Sequence, residues 1–446
     1  MSSQTTSLAG DEFTIPTYEQ IGASSVPADQ AQERCTYLCG NSLGPLPIRS
    51  RKLLDEELSA WATRAVEGHF DHPYGRNWTD IASTVTPLFA EIVGAEEQEV
   101  ACMSTLTANL HLMLSAFYKP TSSRYKILCE AKAFPSDQYA FASQVRVHGY
   151  DPEEVVIELA PRPDEFTLRE EDILKVIAEQ GQSISVVIFS GVQYYTGQWF
   201  PMQRITKAAQ EQGCICGWDL AHAVGNVPMS LSDWNVDFAV WCTYKYLNSG
   251  PGGIAGLFIH KNHQPQPQYA GWWGHDPQTR FAMPPVFSAI PGAQGFQQSN
   301  PSALTTASLL GALQVFKSAG MMDPIRKRSL ELTAYLESKL TQSKFYIPSH
   351  KAVRLMQDST AQSGPSFTII TPSDPESRGA QLSLLFLPAH LKVMQRVSAS
   401  LAANGVIGDK REPDVIRLAP APLYNTIADC DRAALCLENA LCSLLL

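Results

Sequence analysis

Short apolar segments alternate with helix-like segments through most of this 446-residue chain. The strand-like segments are apolar on both faces, and they span residues 124–130, 184–191, 214–220, 237–247 and 254–260. Strands that are buried on both faces and separated by helices are typical of a mostly parallel sheet. We therefore predict an α/β fold, in which a large domain is built on a mostly parallel sheet flanked by helices.

Apolar residues at helical spacing predict helices at 51–66, 104–118, 202–213 and 301–320. Residues 261–300 are rich in proline, glutamine, glycine and tryptophan, which predicts long loops. The polar residues 1–35 predict a loosely ordered segment.

The length of the chain favours two domains over one. After about residue 325, helices alternate with strand-like segments such as SFTIIT (366–371) and VIRLAP (415–420). We predict a small α/β C-terminal domain at residues 325–446 and a large domain at residues 61–324. Residues 1–60 are predicted to form an N-terminal segment that packs with the small domain.

Composition argues against several classes of protein. The net charge of −10 disfavours a nucleic-acid surface, which needs clustered lysine and arginine. No apolar run approaches the roughly 20 residues of a membrane span, and the polar N-terminus does not resemble a secretory signal. The ten cysteines lack a paired zinc spacing, so we expect reduced thiols and no metal. These features predict a soluble, cytoplasmic protein.

Lys245 is the one cation in an apolar segment, and the glycine-rich GPGGIAG (250–256) follows it. A nucleotide-binding loop would follow a strand and open a helix, whereas a strand-like run follows these glycines. A buried amine can instead form an imine with an aldehyde. Pyridoxal phosphate chemistry needs such an amine, an acidic partner for the pyridine nitrogen and donors for the phosphate. Glycines would let the backbone pass close to the lysine and the cofactor.

Candidate partners for Lys245 occur in a suitable order. Asp219 ends a strand-like segment, and His222 follows three residues later. Thr107 lies at a predicted helix N-terminus, where backbone N–H groups bind phosphate, and Phe134 could stack on a pyridine ring. Each residue alone has a structural explanation as a cap, a turn residue, a surface charge or a core side chain. The ordered set favours a cofactor site.

Several motifs together resemble the kynureninase family, which comprises pyridoxal-phosphate hydrolases of the fold type I, class V-like aminotransferase superfamily. The motifs are YLCGNSLGP, STLTANLHLML, AFPSDQYA, WDLAHAVGNVP, CTYKYLNSGPGGIAGLFIH, GWWGH, GFQQSNP and RLAPAPLYN. They run from about residue 37 to residue 425. WDLAHA with a following lysine is shared with cysteine desulfurases, whereas YLNSGPGG, GWWGH and RLAPAPLYN are more specific to kynureninases.

The resemblance implies catalytic roles for three residues. Lys245 would carry the cofactor and act as a base, Asp219 would pair with the pyridine nitrogen, and Tyr244 would bind phosphate and help in proton transfer. The other implied cofactor contacts are Leu106, Thr107, Phe134, Pro135, Ser136, Asp137, Ser190 and His222, with Trp272 and Asn300 contributed by the same subunit or by its partner.

The resemblance also implies two substrate contacts. Arg417 would grip the substrate α-carboxylate, a task that suits its planar guanidinium. His69 would line the substrate pocket, but its segment EGHFDHPYGRNW departs from the family pattern H-x-x-G-K-R-P-W. His72 therefore remains a rival candidate, and both could be surface-loop histidines.

The implied activity is hydrolysis of L-kynurenine or 3-hydroxy-L-kynurenine to anthranilate or 3-hydroxyanthranilate plus L-alanine, in tryptophan catabolism and NAD biosynthesis. The implied assembly is a homodimer with shared active sites. One alternative is a cysteine desulfurase or selenocysteine lyase, but no cysteine lies between Cys242 and Cys430, where its catalytic loop would fall. A second alternative is a non-catalytic scaffold, which would be expected to lose Lys245 or Asp219.

Overall fold

The computed structural model describes residues 7–263, 267, 269–357 and 364–445. Its centre is a seven-stranded sheet with the order β1-β7-β6-β5-β4-β2-β3. Strands β6, β5, β4, β2 and β3 are parallel, whereas β7 runs antiparallel to β1 and β6. The strands are β1 (Val100–Cys102), β2 (Lys126–Glu130), β3 (Val156–Leu159), β4 (Ile184–Ser190), β5 (Ile215–Asp219), β6 (Phe238–Trp241) and β7 (Gly256–Ile259).

Strand β4 illustrates why these segments are apolar throughout. Val187 and Phe189 belong to the core on one side of the sheet, and Val186 and Ile188 belong to the core on the other side. Successive side chains of a strand point to opposite faces, so a sheet covered on both faces needs an uninterrupted apolar run. The predicted mostly parallel α/β sheet is confirmed.

Twelve α-helices are present in the described residues. The first of them (Ile48–Arg64) contacts the eighth (Ala303–Ser318), because the Ser50 hydroxyl donates a hydrogen bond to the backbone oxygen of Ser308 at 2.6 Å. The helices are α1 (Ile48–Arg64), α2 (Thr86–Val93), α3 (Leu106–Phe117), α4 (Pro135–Val147), α5 (Pro152–Val155), α6 (Glu170–Gln180), α7 (Met202–Glu211), α8 (Ala303–Ser318), α9 (Met322–Thr341), α10 (Ser349–Gln357), α11 (Val393–Ala403) and α12 (Ile427–Cys442).

A second sheet lies in the C-terminal part of the chain. It is antiparallel, with the order β8-β9-β11-β10. Its strands are β8 (Ser366–Ile369), β9 (Leu382–Leu387), β10 (Asp409–Arg411) and β11 (Val415–Leu418). One apolar core joins this sheet to helices α9, α11 and α12. Two residues of the N-terminal segment, Thr36–Tyr37, pair in parallel with Val406–Ile407, while α1 packs on α8. The domain boundaries at 60 and 324 stay predictions.

Two local expectations are corrected. The predicted strand 237–247 ends at Trp241, because Thr243 turns the chain by hydrogen-bonding Ser249 at 2.6 Å. Lys245 therefore lies in a turn beyond the sheet edge and not within a strand. The described part of the N-terminal segment is also ordered, since the ring of Phe13 is buried 5.2 Å from that of Tyr424.

Among the described residues, no helix has the length and apolar character needed to cross a membrane. The same part of the chain holds no cluster of three or more His, Cys, Asp or Glu side chains suited to a metal ion. Its ten cysteines are free thiols, and most of them are buried.

Candidate active site

Three adjacent parallel strands end in polar residues at one edge of the large sheet. Glu130 ends β2, Ser190 ends β4 and Asp219 ends β5. Ser190 and Asp219 are direct partners in the register of β4 and β5. Ligands of open α/β sheets bind at the carboxyl ends of the strands, so this edge is the expected place for a site.

Two helix N-termini meet at the same edge. Helix α3 begins at Leu106 and α4 begins at Pro135, and no side chain caps either helix. The hydroxyl groups of Thr107 and Ser136 are 2.6 Å apart, which joins the first turns of the two helices. Uncapped helix N-termini present backbone N–H groups and a partial positive charge, so they suit a phosphate group.

Lys245 reaches the site from the turn after β6. Its Nζ lies 3.0 Å from His222 Nε2 and 5.9 Å from the ring centroids of both Phe134 and Tyr244. Burial and the nearby charge of Lys245 hold the pKa of His222 well below its usual value. The imidazole is therefore neutral at physiological pH, and Nε2 can accept a hydrogen bond from Lys245 Nζ.

Two carboxyl groups, those of Asp137 and Asp219, lie together in the lining of the same site. Asp219 Oδ1 accepts a hydrogen bond from the backbone N–H of Ala221 at 2.7 Å. Burial and the adjacent Asp219 raise the pKa of Asp137 well above its usual range. Two close, buried carboxyl groups cannot both ionise, so Asp137 holds a proton beside Asp219.

These side chains line one pocket. Its lining comprises Leu106, Thr107, Phe134, Ser136, Asp137, Ser190, Val192, Tyr194, Asp219, Ala221, His222, Tyr244 and Lys245. Most of the residues predicted to contact the cofactor thus converge on one pocket, although they come from positions 106 to 245 of the chain.

Arg417 lies next to the pocket and not in its lining. The guanidinium is completely buried on β11, where it donates hydrogen bonds to Asp409 Oδ2 and to the backbone oxygen of Tyr194, both at 2.5 Å. Tyr194 itself lines the pocket. The Nε atom of Arg417 is buried without a partner, so the guanidinium retains one donor for a ligand.

Three predicted cofactor contacts lie outside this pocket. Pro135 begins α4 but lines a different cavity. Trp272 is 47% exposed and donates a hydrogen bond to the backbone oxygen of Arg280 at 3.1 Å. Asn300 lines a separate cavity together with Ser104 and Thr105, and its Oδ1 is buried without a partner.

The two candidate histidines have different surroundings. His69 is half-buried, with Nδ1 2.9 Å from the backbone oxygen of Val66 and its ring edge-on to Trp78. His72 is buried and contacts the carboxylate of Glu57 at 3.0 Å. The buried contact with Glu57 gives His72 a structural role, and a substrate contact by His69 stays a prediction.

Comparison with known proteins identifies the family. The aminotransferase class-V family matches residues 51–362, and the kynureninase C-terminal domain family matches residues 348–437. A kynureninase of Monosiga brevicollis is 49% identical over 96% of this chain and 92% of its own length. A kynureninase of Yarrowia lipolytica is 50% identical over 92% of this chain and 94% of its own length. A kynureninase of Saccharomyces cerevisiae is 48% identical over 97% of this chain and 96% of its own length. The chain belongs to the kynureninase family.

Solved structures confirm the fold type I architecture expected of a kynureninase-family chain. A complex of the cystine C-S lyase C-DES with cysteine persulfide matches with a TM-score of 0.73 and 16% identity, covering 91% of this chain and 98% of that one. The apo cysteine desulfurase of Thermococcus onnurineus matches with a TM-score of 0.69 and 15% identity, covering 92% of this chain and 95% of that one. At these identities the likeness concerns the fold alone.

The pocket fits the pyridoxal phosphate of the kynureninase family. His222 Nδ1 and Asp137 Oδ1 are buried polar atoms without a partner. The uncapped start of α3 offers donors to a phosphate, and Lys245 offers an amine to an aldehyde. Unpaired buried polar atoms are costly in a folded chain, so a polar ligand at this place accounts for them.

Sequence reasoning missed several residues of this kynureninase-family site. Val192, Tyr194 and Ala221 line the pocket, Glu130 lies behind Ser190, and Asp409 binds Arg417. Glu130 carried a usable signal, because it is a lone carboxylate at the end of the apolar run YKILC. Asp409 carried none, because its role depends on the pairing of two strands.

Proposed function

We propose that this chain is a pyridoxal-phosphate-dependent hydrolase acting on a carbon–carbon bond. It cleaves L-kynurenine, 3-hydroxy-L-kynurenine or both, giving anthranilate or 3-hydroxyanthranilate and L-alanine. The observation that carries the proposal is the position of the Lys245 amine, which faces Asp219, His222 and the α3 N-terminus in one pocket. Its relatives of 48–50% identity over nearly the whole chain are kynureninases.

The pocket residues would hold the cofactor by complementary chemistry. Leu106 and Thr107 would bind the phosphate at the α3 N-terminus, and Phe134 would pack against the ring. Asp219 would keep the pyridine nitrogen protonated, and Lys245 would link to the aldehyde. Pyridoxal phosphate supplies an electron sink for the charge that develops as bonds to the substrate amino-acid carbons break.

Arg417 would hold the substrate through its α-carboxylate. Its partner Asp409 also contacts Arg411, with 2.8 Å between Asp409 Oδ1 and Arg411 Nε. One carboxylate between two guanidinium groups leaves a net positive charge beside the pocket. That charge and the unpartnered Arg417 Nε suit an incoming carboxylate.

Lys245 and Tyr244 would move the protons of the reaction. The free Lys245 amine would remove the α-proton of the bound substrate, and the neutral His222 imidazole would orient that amine. Water adds its oxygen to the γ-carbonyl carbon, the β,γ bond breaks, and the β-carbon takes up a proton to become the methyl group of alanine. Burial, together with Cys242, raises the pKa of the Tyr244 phenol, which therefore stays protonated and can donate on the path to alanine.

We further propose a homodimer with shared active sites. Phe70, Trp272 and Phe281 form a chain of edge-to-face aromatic contacts at 5.4 and 5.5 Å, and each ring is between 46% and 59% exposed. An apolar patch of this kind is typical of an interface. A second subunit would cover it and would bring Trp272 and Asn300 to the pocket of its partner.

A cytoplasmic location and a role in tryptophan catabolism and NAD biosynthesis complete the proposal. The free thiols support a reducing compartment. Detection of the protein in the cytosolic fraction of its cell would support the location, and its recovery with organelles or membranes would contradict it.

The first test is an assay of the purified protein with pyridoxal phosphate and each of the two substrates. Alanine and the two anthranilates are quantified over time. Product from either substrate supports the reaction, and the ratio of the two kcat/KM values gives the preference. A protein that binds pyridoxal phosphate but forms no product from either substrate would contradict the proposed activity.

A further inference from the structure

Glu130 lies directly behind the pocket, and the mechanism above does not use it. It is 3% exposed at the end of β2. Its carboxyl group contacts the hydroxyl of Ser190 at 2.5 Å and the backbone N–H of Ser190 at 3.3 Å. Ser190 lines the pocket, whereas Glu130 does not. Glu130 can therefore act on a bound ligand through the Ser190 hydroxyl.

The surroundings of Glu130 are unusual for a buried acid. Asp219, Asp137, Cys129 and Tyr194 interact electrostatically with Glu130, and none of these four groups carries a positive charge. Burial and, to a smaller extent, the charge of Asp219 raise the pKa of Glu130 to about 7, against the opposing hydrogen bonds from Ser190. Both the ionised and the protonated forms of Glu130 are thus populated near neutral pH.

We propose that Glu130 is a positioning residue whose charge sets the direction of the Ser190 hydroxyl in the cofactor pocket. An ionised Glu130 accepts the hydroxyl proton, so the Ser190 oxygen presents only lone pairs to the pocket. A protonated Glu130 donates its own proton to the Ser190 oxygen, and the hydroxyl becomes a donor toward the pocket. This inference rests on the proposed function, because it assumes that pyridoxal phosphate binds beside Ser190.

The two states differ in what they offer to a ligand. Pyridoxal phosphate carries several acceptor oxygens, and its oxygen acceptors bind better to a pocket in which Ser190 donates. The wild-type apoprotein is therefore expected to bind pyridoxal phosphate more tightly when Glu130 is protonated than when it is ionised. Glutamine at this position keeps the shape of the side chain but cannot titrate. The affinity of E130Q for pyridoxal phosphate is therefore expected to lack this dependence on the protonation of residue 130.

The test is a double-mutant comparison of cofactor affinity. The dissociation constant of pyridoxal phosphate is measured by tryptophan fluorescence for the wild type, E130Q, S190A and the double variant, from about pH 6 to about pH 8.5. The ratio of the E130Q to the wild-type dissociation constant is expected to change by about fivefold over this range, the equivalent of one hydrogen bond. In the S190A background the same ratio is expected to stay constant with pH.

Control variants and contrary outcomes make the test decisive. Glu158 lies on the neighbouring strand β3, opposite Cys129, and is exposed, so E158Q is expected to match the wild type at every pH. If E130Q does not fold, the comparison uses S190A alone, which must lose the change in pyridoxal phosphate affinity that the wild type shows near pH 7. A ratio that does not change with pH, or that changes equally in the S190A background, overturns the role of Glu130 but leaves the proposed function intact. Failure of the wild type to bind pyridoxal phosphate overturns both.

Discussion

Arg417 and Asp409 lie directly opposite each other on the adjacent antiparallel strands β11 and β10. Their side chains meet at 2.5 Å, and the guanidinium is fully buried. Although burial acts in the opposite direction, the charges of Arg417 and Arg411 lower the pKa of Asp409, so its carboxylate stays ionised at neutral pH. The proposed carboxylate-binding arginine is therefore held in place by a residue that no local motif identifies.

Replacing Asp409 with asparagine is expected to raise KM for kynurenine by about tenfold and to affect kcat less, because Arg417 loses its fixed position. Removing one partner of a buried ion pair should also lower the free energy of unfolding by about 3 kcal/mol. Steady-state kinetics and denaturant unfolding measure the two effects. Glu412→Gln, at an exposed carboxylate near the same strand, is the matched control. An unchanged KM would count against the role of this pair in substrate binding.

Replacing Lys245 with alanine is expected to reduce turnover by at least about a thousandfold, because both the amine that links the cofactor and the base are lost. The absorption band of the lysine-linked cofactor should vanish as well. Product assays and absorption spectra provide the measurements. Lys175→Ala, at an exposed lysine of α6, should behave as the wild type. Full activity of the Lys245 variant would refute the mechanism.

Replacing Asp219 with asparagine is expected to lower kcat by about a hundredfold or more, since a neutral amide does not stabilise a protonated pyridine nitrogen. Rates measured at saturating cofactor separate this effect from weaker cofactor binding. Asp164→Asn changes an exposed aspartate and serves as the control. Wild-type turnover in the Asp219 variant would remove the basis for its role.

Mixing two inactive variants is expected to restore activity if the sites are shared. Lys245→Ala disables the pocket of its own subunit, and Asn300→Ala would disable the pocket of its partner. A dimer containing one subunit of each kind then keeps one intact site, so an equal, randomly exchanged mixture should regain about a quarter of the wild-type rate. The measurement is activity after subunit exchange. No gain over the separate variants, once exchange is verified, would place Asn300 outside a shared site.

The stability of the cofactor-free protein is expected to depend on the protonation state of Glu130. Its pKa is about 7 in the folded chain, against an ordinary value of 4.5. Between these values the folded state binds more protons than the unfolded state, so Glu130 makes the protein less stable as pH rises, and the loss persists above about 7. The melting temperature of E130Q minus that of the wild type should therefore increase from about pH 5 to about pH 8. Equal differences at all pH values would contradict this assignment, and E158Q should show no such trend.

Much of the site could be predicted because its signals are local in the chain. Lys245 stands alone in an apolar segment, Asp219 ends a strand, and Leu106 and Thr107 open a helix. Each pattern depends on a few neighbouring residues, and parallel strands bring their carboxyl ends to one edge of a sheet. The amino-acid sequence by itself therefore determined the fold class, the family and the central members of the pocket.

Only the tertiary structure decided which distant residues act together. Glu130 and Ser190 are 60 positions apart, and Asp409 meets Arg417 through the register of two strands. The turn that carries Lys245 past the end of β6 also depends on contacts of Thr243 with Ser249 and with the backbone of Ile254. Register and side-chain contact arise from the packing of whole elements, and no periodicity within a single segment encodes them.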